Sequence, residues 1–278
     1  MLLRERLETY SGRLTPADRA VLDVLLSHPA ESAFLTADRI TSRANVHVAA
    51  ATRLAKKLGY AGYPHLRESL QTELLEGVGA ADRIRNTLAH TETNDVLVSL
   101  VDEEVAALQA ASRAIATADV EIAAKYVLAA RRILLFTRGN ATALGAMLER
   151  RLRRFGFDVH ALGASDRDLA ESLVSLGKGD LVIAVALRRA PRALSPLLAV
   201  VREAGATSIL LTDTVDTAVR PRPDLVLAAP RGTGREYQSL TVPMAVANAL
   251  VLTVASTGGA RTMSALERLD RLLRTFGD

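Results

Sequence analysis

The chain has 278 residues, 49% of them hydrophobic and 24% charged, a globular balance and not that of a disordered chain. Cysteine is absent, which excludes a disulfide scaffold, a thiolate zinc site and a cysteine nucleophile. Tryptophan is absent and aromatics make up 4%, so base stacking on aromatic platforms is not the main business; the net charge of +4 leans basic. No uninterrupted apolar run, Leu181–Leu187 and Ser208–Thr212 included, reaches the roughly 20 residues that span a bilayer. The first residues, MLLRERLETYSGRL, place charges where a signal peptide needs an apolar core, so a soluble cytoplasmic protein with no membrane partner is expected.

Three stretches follow one another: 1–77, a short-helix domain; 78–120, a helical Ala-rich linker; and 121–278, an α/β domain. In the first, Thr15-Pro16 reads as an N-cap followed by proline at the first helical position. Ala20, Val21, Val24 and Leu25 form the apolar face of that helix, and Pro29 marks its end. Thr36 caps a second helix with Ala37, Ile40 and Ala44 inward. Asn45-Val46 is a turn, with Asn suited to the left-handed conformation. A third helix runs from about His47 to Leu58 and stops at Gly59. Pro64 opens a fourth, with Leu66, Leu70 and Leu74 on one face.

Beyond residue 131, short Val/Ile/Leu runs alternate with helical segments. Strands are predicted at 132–137, 158–162, 180–187, 207–212 and 224–229, and helices at about 141–155, 165–176, 192–204, 239–255 and 263–276, with a short turn near 214–219. This is a doubly wound five-stranded parallel sheet. The whole is an α/β chain with an all-α head.

Two short helices joined by a tight turn, 36–44 and 47–58, fit a helix-turn-helix. From Arg39 to Arg67 every charged side chain is basic: Arg39, Arg43, Arg53, Lys56, Lys57 and Arg67. One basic face on a small module is what contact with DNA phosphates requires. Arg43, Arg53, Lys56 and Lys57 are the phosphate candidates. His47, Ala49, Ala50 and Thr52 are the base-facing ones, since small residues let a helix approach base edges closely. A solvated face on a helical interaction module is the plainer alternative.

Leu14-Thr15-Pro16-Ala17, the helix start Phe34-Leu35-Thr36-Ala37, and above all the run Arg53-Leu54-Ala55-Lys56-Lys57-Leu58-Gly59-Tyr60-Ala61-Gly62-Tyr63 resemble the N-terminal domain of the RpiR family of bacterial transcription regulators. The resemblance extends over the whole chain, since the second half of that family is a sugar isomerase (SIS) domain. It implies that helix 47–58 reads the major groove of a double-stranded operator. It also implies that the SIS domain binds a phosphorylated sugar or related anion. Where the family has Gly at the turn, Ser opening the recognition helix and often Thr within it, this chain has Asn45, His47 and Ala50.

Ligands of an open parallel sheet bind outside the carboxyl ends of its strands. The first such loop, Thr137-Arg138-Gly139-Asn140-Ala141-Thr142, resembles the family's Gly-x-Gly-x-Ser, with Ala141 at the serine and Thr142 as a substitute hydroxyl. The second, Ala186-Leu187-Arg188-Arg189-Ala190-Pro191, has lost every hydroxyl of the family's pattern, and Arg189 stands for its glycine. Either Arg138, Arg188, Arg189 and Arg192 rebuild an anion site by bidentate guanidinium contacts, or the pocket has decayed. Thr212, Asp213 and Thr214 follow the fourth strand as contacts for ligand hydroxyls. Glu236 completes the effector candidates.

An isomerase would need a general base, and Glu236 is the good candidate for one; the five histidines are scattered. No cofactor or metal motif stands out, Arg231-Gly-Thr-Gly234 reads as a flexible loop, and no catalytic residue is assigned, so an enzyme is not expected. A homodimer or homotetramer is expected. Val101, Val105, Leu108, Ala111 and Ile115 could pack on a second subunit, although packing on the chain's own sheet domain is the plainer reading.

Overall fold

The computed structural model describes residues 3, 6, 7, 10, 12, 14–27, 29–77, 80–90, 95–213, 219–231 and 237–277. Two compact units divide the chain, residues 1–87 and 88–278.

The first unit is helical: α1 (Pro16–Ser27), α2 (Pro29–Ser32), α3 (Ala37–Arg43), α4 (Ala49–Lys57), α5 (Tyr63–Gly77) and most of α6 (Ala80–His90), whose last residues fall past the division. A reciprocal capping box starts α1. Thr15 Oγ1 accepts from the Asp18 amide at 3.2 Å, and the Thr15 amide donates to Asp18 Oδ2 at 2.8 Å. Thr36 Oγ1 caps α3 by accepting from the Arg39 amide. The turn into α4 places Asn45 at φ 51, as the sequence implied. α4 ends in a Schellman pair: Tyr60 N–H donates to Ala55 O, and Gly59 N–H, at φ 78, donates to Lys56 O. Val21, Leu22, Leu25, Ile40, Leu54 and Leu66 form the core of this bundle. The four-residue α2 is an addition to the sequence reading, and Leu22 joins Val21 and Leu25 as a buried residue of α1, with Val24 partly buried against the same core.

The second unit comprises α7 (Val96–Ala114), α8 (Thr117–Ala129), β1 (Arg132–Thr137), a 3-10 turn (Gly139–Ala141), α9 (Thr142–Arg154), β2 (Val159–Ala161), α10 (Asp166–Leu173), β3 (Asp180–Ala186), α11 (Leu194–Glu203), β4 (Thr207–Thr212), β5 (Leu225–Ala228), α12 (Thr241–Gly258) and α13 (Ala260–Phe276). The strands pair in the order β2-β1-β3-β4-β5, all parallel. Alternate residues of each strand face opposite layers. Ile133, Leu135, Ile183 and Ile209 pack beneath α8, α9 and α12, whereas Leu134, Phe136, Val182 and Leu210 pack beneath α10 and α11. At Gly145 an added Cβ would lie 2.9 Å from Thr137 Oγ1, so glycine lets α9 approach β1 closely.

The last helix begins at Ala260 and not at 263, because a single residue, Gly259 at φ 48, suffices to break it from α12. Of the predicted turn at 214–219, residues 214–218 lie outside the described residues, and Val219 is buried. α12 is long and apolar enough to cross a membrane by length and composition alone. Its Val242, Ala247, Leu250 and Val254 are buried in the core of the sheet domain, where a helix of such composition also belongs.

Candidate functional site

In the helical unit, α4 is held by its inner face, where Ala50, Ala51, Leu54 and Ala55 are all buried. Its outer face leaves His47, Thr52, Arg53 and Lys56 exposed and Ala49 half-buried. His47 Nδ1 accepts from the Ala49 amide at 3.2 Å, so the imidazole caps the helix start. Ala50 is a correction to the base-facing set. It is 1% exposed, because it lies two residues from Thr52 and on the opposite side of the helix.

Lys57 is a second correction. Its Nζ pairs with Asp18 Oδ2, whose side chain is 3% exposed, so it ties α4 to the capping box of α1 and is not a projecting phosphate contact. Burial pushes the Asp18 carboxyl up, but the hydrogen bonds from Lys57 and Thr15 outweigh it and hold the group below its ordinary value of 3.8. Arg43 is paired with Glu31 on the surface, which holds its guanidinium still more firmly protonated. Burial pushes the Tyr63 phenol up to about 12, and its hydroxyl donates to Leu35 O. Arg53 and Lys56 thus remain as exposed cations on the outer face of α4.

In the sheet unit, the carboxyl ends of β1, β3 and β4 bring the predicted effector loops to one edge, at the point where strand order reverses. Gly139 (φ 57), Asn140 and Thr142 are exposed at the start of α9, and Thr142 Oγ1 donates to Gly139 O. Arg138 turns back on the sheet. Its guanidinium stacks over Phe136, 4.6 Å from the ring centroid, and donates to Gly163 O at 2.7 Å and Thr137 O at 3.0 Å. That corrects its reading as a ligand-facing arginine. Arg189 is exposed and Arg188 half-buried. Arg192 lines a groove of about 550 Å³ between α10 and α11, floored by Leu169, Leu173 and Leu197.

Asp213 is the second correction at this edge. Its carboxylate accepts the Arg188 amide at 2.8 and 2.9 Å and the Arg231 guanidinium at 3.0 Å or less. The Asp213 and Arg231 side chains are 6% and 7% exposed, and Arg231 also donates to Ser239 O. Arg188 sits at φ 66, uncommon for a side-chain-bearing residue. Asp213 therefore serves as an internal anion: it fixes the β3 loop through a backbone N–H and is neutralised from the segment after β5. Thr212, 6% exposed, is buried beside it and offers little to a ligand. Arg231 was missed because an arginine in a Gly-rich run signals solvent when its partner lies elsewhere in sequence. Thr214 and Glu236 lie outside the described residues.

A helix-turn-helix head followed by a doubly wound parallel sheet defines the class of chain. Residues 1–77 match the helix-turn-helix domain of the rpiR family, and residues 127–253 match the SIS domain. Similar over 92% of this chain, at 29% identity, is the bifunctional protein glk of Burkholderia orbicola (strain AU 1054), of which this chain spans 39%. The HTH-type transcriptional regulator YbbH of Bacillus subtilis (strain 168), itself uncharacterized, is 23% identical, with 91% of this chain and 89% of that one covered. The fold is shared with the Vibrio vulnificus NanR protein, solved in complex with ManNAc-6P, at a TM-score of 0.63 and 18% identity, covering 98% of both chains. The chain thus joins a helix-turn-helix domain of the rpiR family to a SIS domain.

Proposed function

We propose that this chain is a DNA-binding transcription regulator whose SIS domain senses an anionic carbohydrate derivative. The observation that carries the first half is α4. Its inner face is fully committed to the core, while His47, Thr52, Arg53 and Lys56 face solvent together at the second helix of a helix-turn-helix. Arg53 and Lys56 contact phosphates, and His47, Ala49 and Thr52 face base edges. The protein acts in the cytoplasm as a homodimer or homotetramer. The test is selection from a random duplex library by the full chain. A defined sequence should be enriched, and Thr52→Val should change it; failure to enrich any sequence overturns the reading.

The effector takes the edge formed by Gly139, Asn140 and Thr142 at the start of α9, with Arg188 and Arg189 across from it. A phosphorylated sugar fits this end of the sheet, and the NanR complex supports that class by likeness of fold. Because the β3 loop has no hydroxyls and its Arg188 amide already binds Asp213, the anion is held by guanidinium groups. The role is sensing and not isomerisation. A melting panel of phosphosugars and sugar acids tests this: a ligand at 100 times its dissociation constant adds roughly 2.7 kcal/mol. The shift should vanish in Arg188→Ala/Arg189→Ala, and no shift with any compound would favour a sheet domain that has lost its effector.

A further inference from the structure

Three helices of the sheet unit leave apolar surface uncovered. The first half of α7 exposes Val98, Val101 and Val105 at the three-then-four spacing of a coiled-coil seam. Its second half turns the continuation of that stripe, Leu108, onto the unit's own core, as does Ile115 just past its end. A groove of about 320 Å³ adjoins it between α7, α8 and α12, lined by Leu108, Ala111, Ile115 and Val246. α12 is apolar nearly all round, the pattern of a helix covered on every side, yet its Leu252 is 69% exposed.

α13 repeats the situation at the far end of α12. Its first turns are packed, with Thr262 buried and Leu266 against the core. Further on, Leu269, Leu273 and Phe276 keep the seam spacing, with Leu272 beside them, and Phe276 is 83% exposed.

The two seams differ in charge. From Asp95 to Ser112, α7 and its cap carry Asp95, Asp102, Glu103 and Glu104 and no basic residue. α13 carries Arg261, Arg268, Arg271 and Arg274 against Glu267 and Asp270. Identical seams of either kind would repel in a like-with-like pairing, whereas an acidic seam and a basic one attract.

We propose that the α13 seam of one copy docks on the α7 seam and adjoining groove of a second copy, and that twofold symmetry makes this contact twice. Leu252 lies on α12 between the turn that packs on α7 and the Gly259 break that starts α13, and the same contact covers it. The inference rests on the self-association proposed above and adds which surface makes it.

Because the chain contains no cysteine, single cysteines report contacts cleanly. One full-chain preparation carries Val101→Cys and another Phe276→Cys. Mixed and oxidised, they should cross-link to each other in excess of either alone. In sedimentation equilibrium, Leu273→Glu/Phe276→Glu should weaken association about tenfold or more, with the melting temperature of the unit retained because both sites are exposed. Asp102→Arg/Glu104→Arg and Arg268→Glu/Arg271→Glu should each weaken association, and all four changes in one chain should restore it. A wild-type chain that stays monomeric at tens of micromolar overturns self-association itself. A dimer unmoved by these variants, or a mixture giving only like-with-like cross-links, overturns this surface alone.

Discussion

Lys56 and Lys57 are neighbours in sequence with opposite employment. Lys56 faces solvent on α4, whereas Lys57 reaches the buried carboxylate of Asp18. Lys56→Ala should therefore weaken binding to every duplex and leave the fold unchanged. Lys57→Ala should lower the melting temperature of the head, since an unpaired buried carboxylate costs about 1–3 kcal/mol. The same carboxylate sets an acid limit. Its folded pKa lies below the ordinary 3.8, so its stabilisation is complete above that value and is lost as pH falls through the folded pKa. Melting of the helical head should steepen in its fall below about pH 4, and Asp18→Asn should flatten that limb. In the sheet unit, Arg231→Met strands the Asp213 carboxylate and should cost about 3–5 kcal/mol, read as a lower melting temperature with ligand or without. A variant that melts normally but ignores ligand would instead make Arg231 an effector contact. None of these pairings was legible in the sequence. Partners 39 and 18 residues apart meet only once helices and strands are stacked, and a run of basic residues looks the same whether or not a buried acid faces one of them.

At the scale of elements, local chemistry was sufficient. Strands β1 and β4 coincide with the predicted runs because parallel strands buried on both faces read as continuous apolar stretches between turn residues. Helix α4 was bounded by Asn45 and Gly59, and both adopt the left-handed conformation that such punctuation demands. Gly59→Ala should therefore destabilise the head by about 1 kcal/mol, seen in a chemical unfolding midpoint. Orientation about the helix axis was less legible. Ala50 and Thr52 are both small, and only the packing of α4 against α1 and α5 decides that one is core and the other surface. At the strand ends the loops were located correctly, but Arg138 was read as ligand-facing because sequence carries no sign of the Gly163 carbonyl that captures it.

At the scale of the molecule, the proposed function makes regulation a linkage between two units of one chain. On that proposal, an effector that binds one state of the sheet unit more tightly shifts the population of states, and DNA affinity changes by the same coupling free energy. That scheme requires first that the head hold DNA through the outer face of α4. The most direct measurement is the salt dependence of duplex binding by the full chain, wild type against Arg53→Ala/Lys56→Ala. Each phosphate contact contributes a slope of about −0.9 in log K against log salt. The double variant should bind more weakly and with a slope shallower by about 1.8, the sum of two such contacts. An unchanged slope, or binding by the wild type that ignores salt, would contradict the assignment of α4 as the DNA-facing helix.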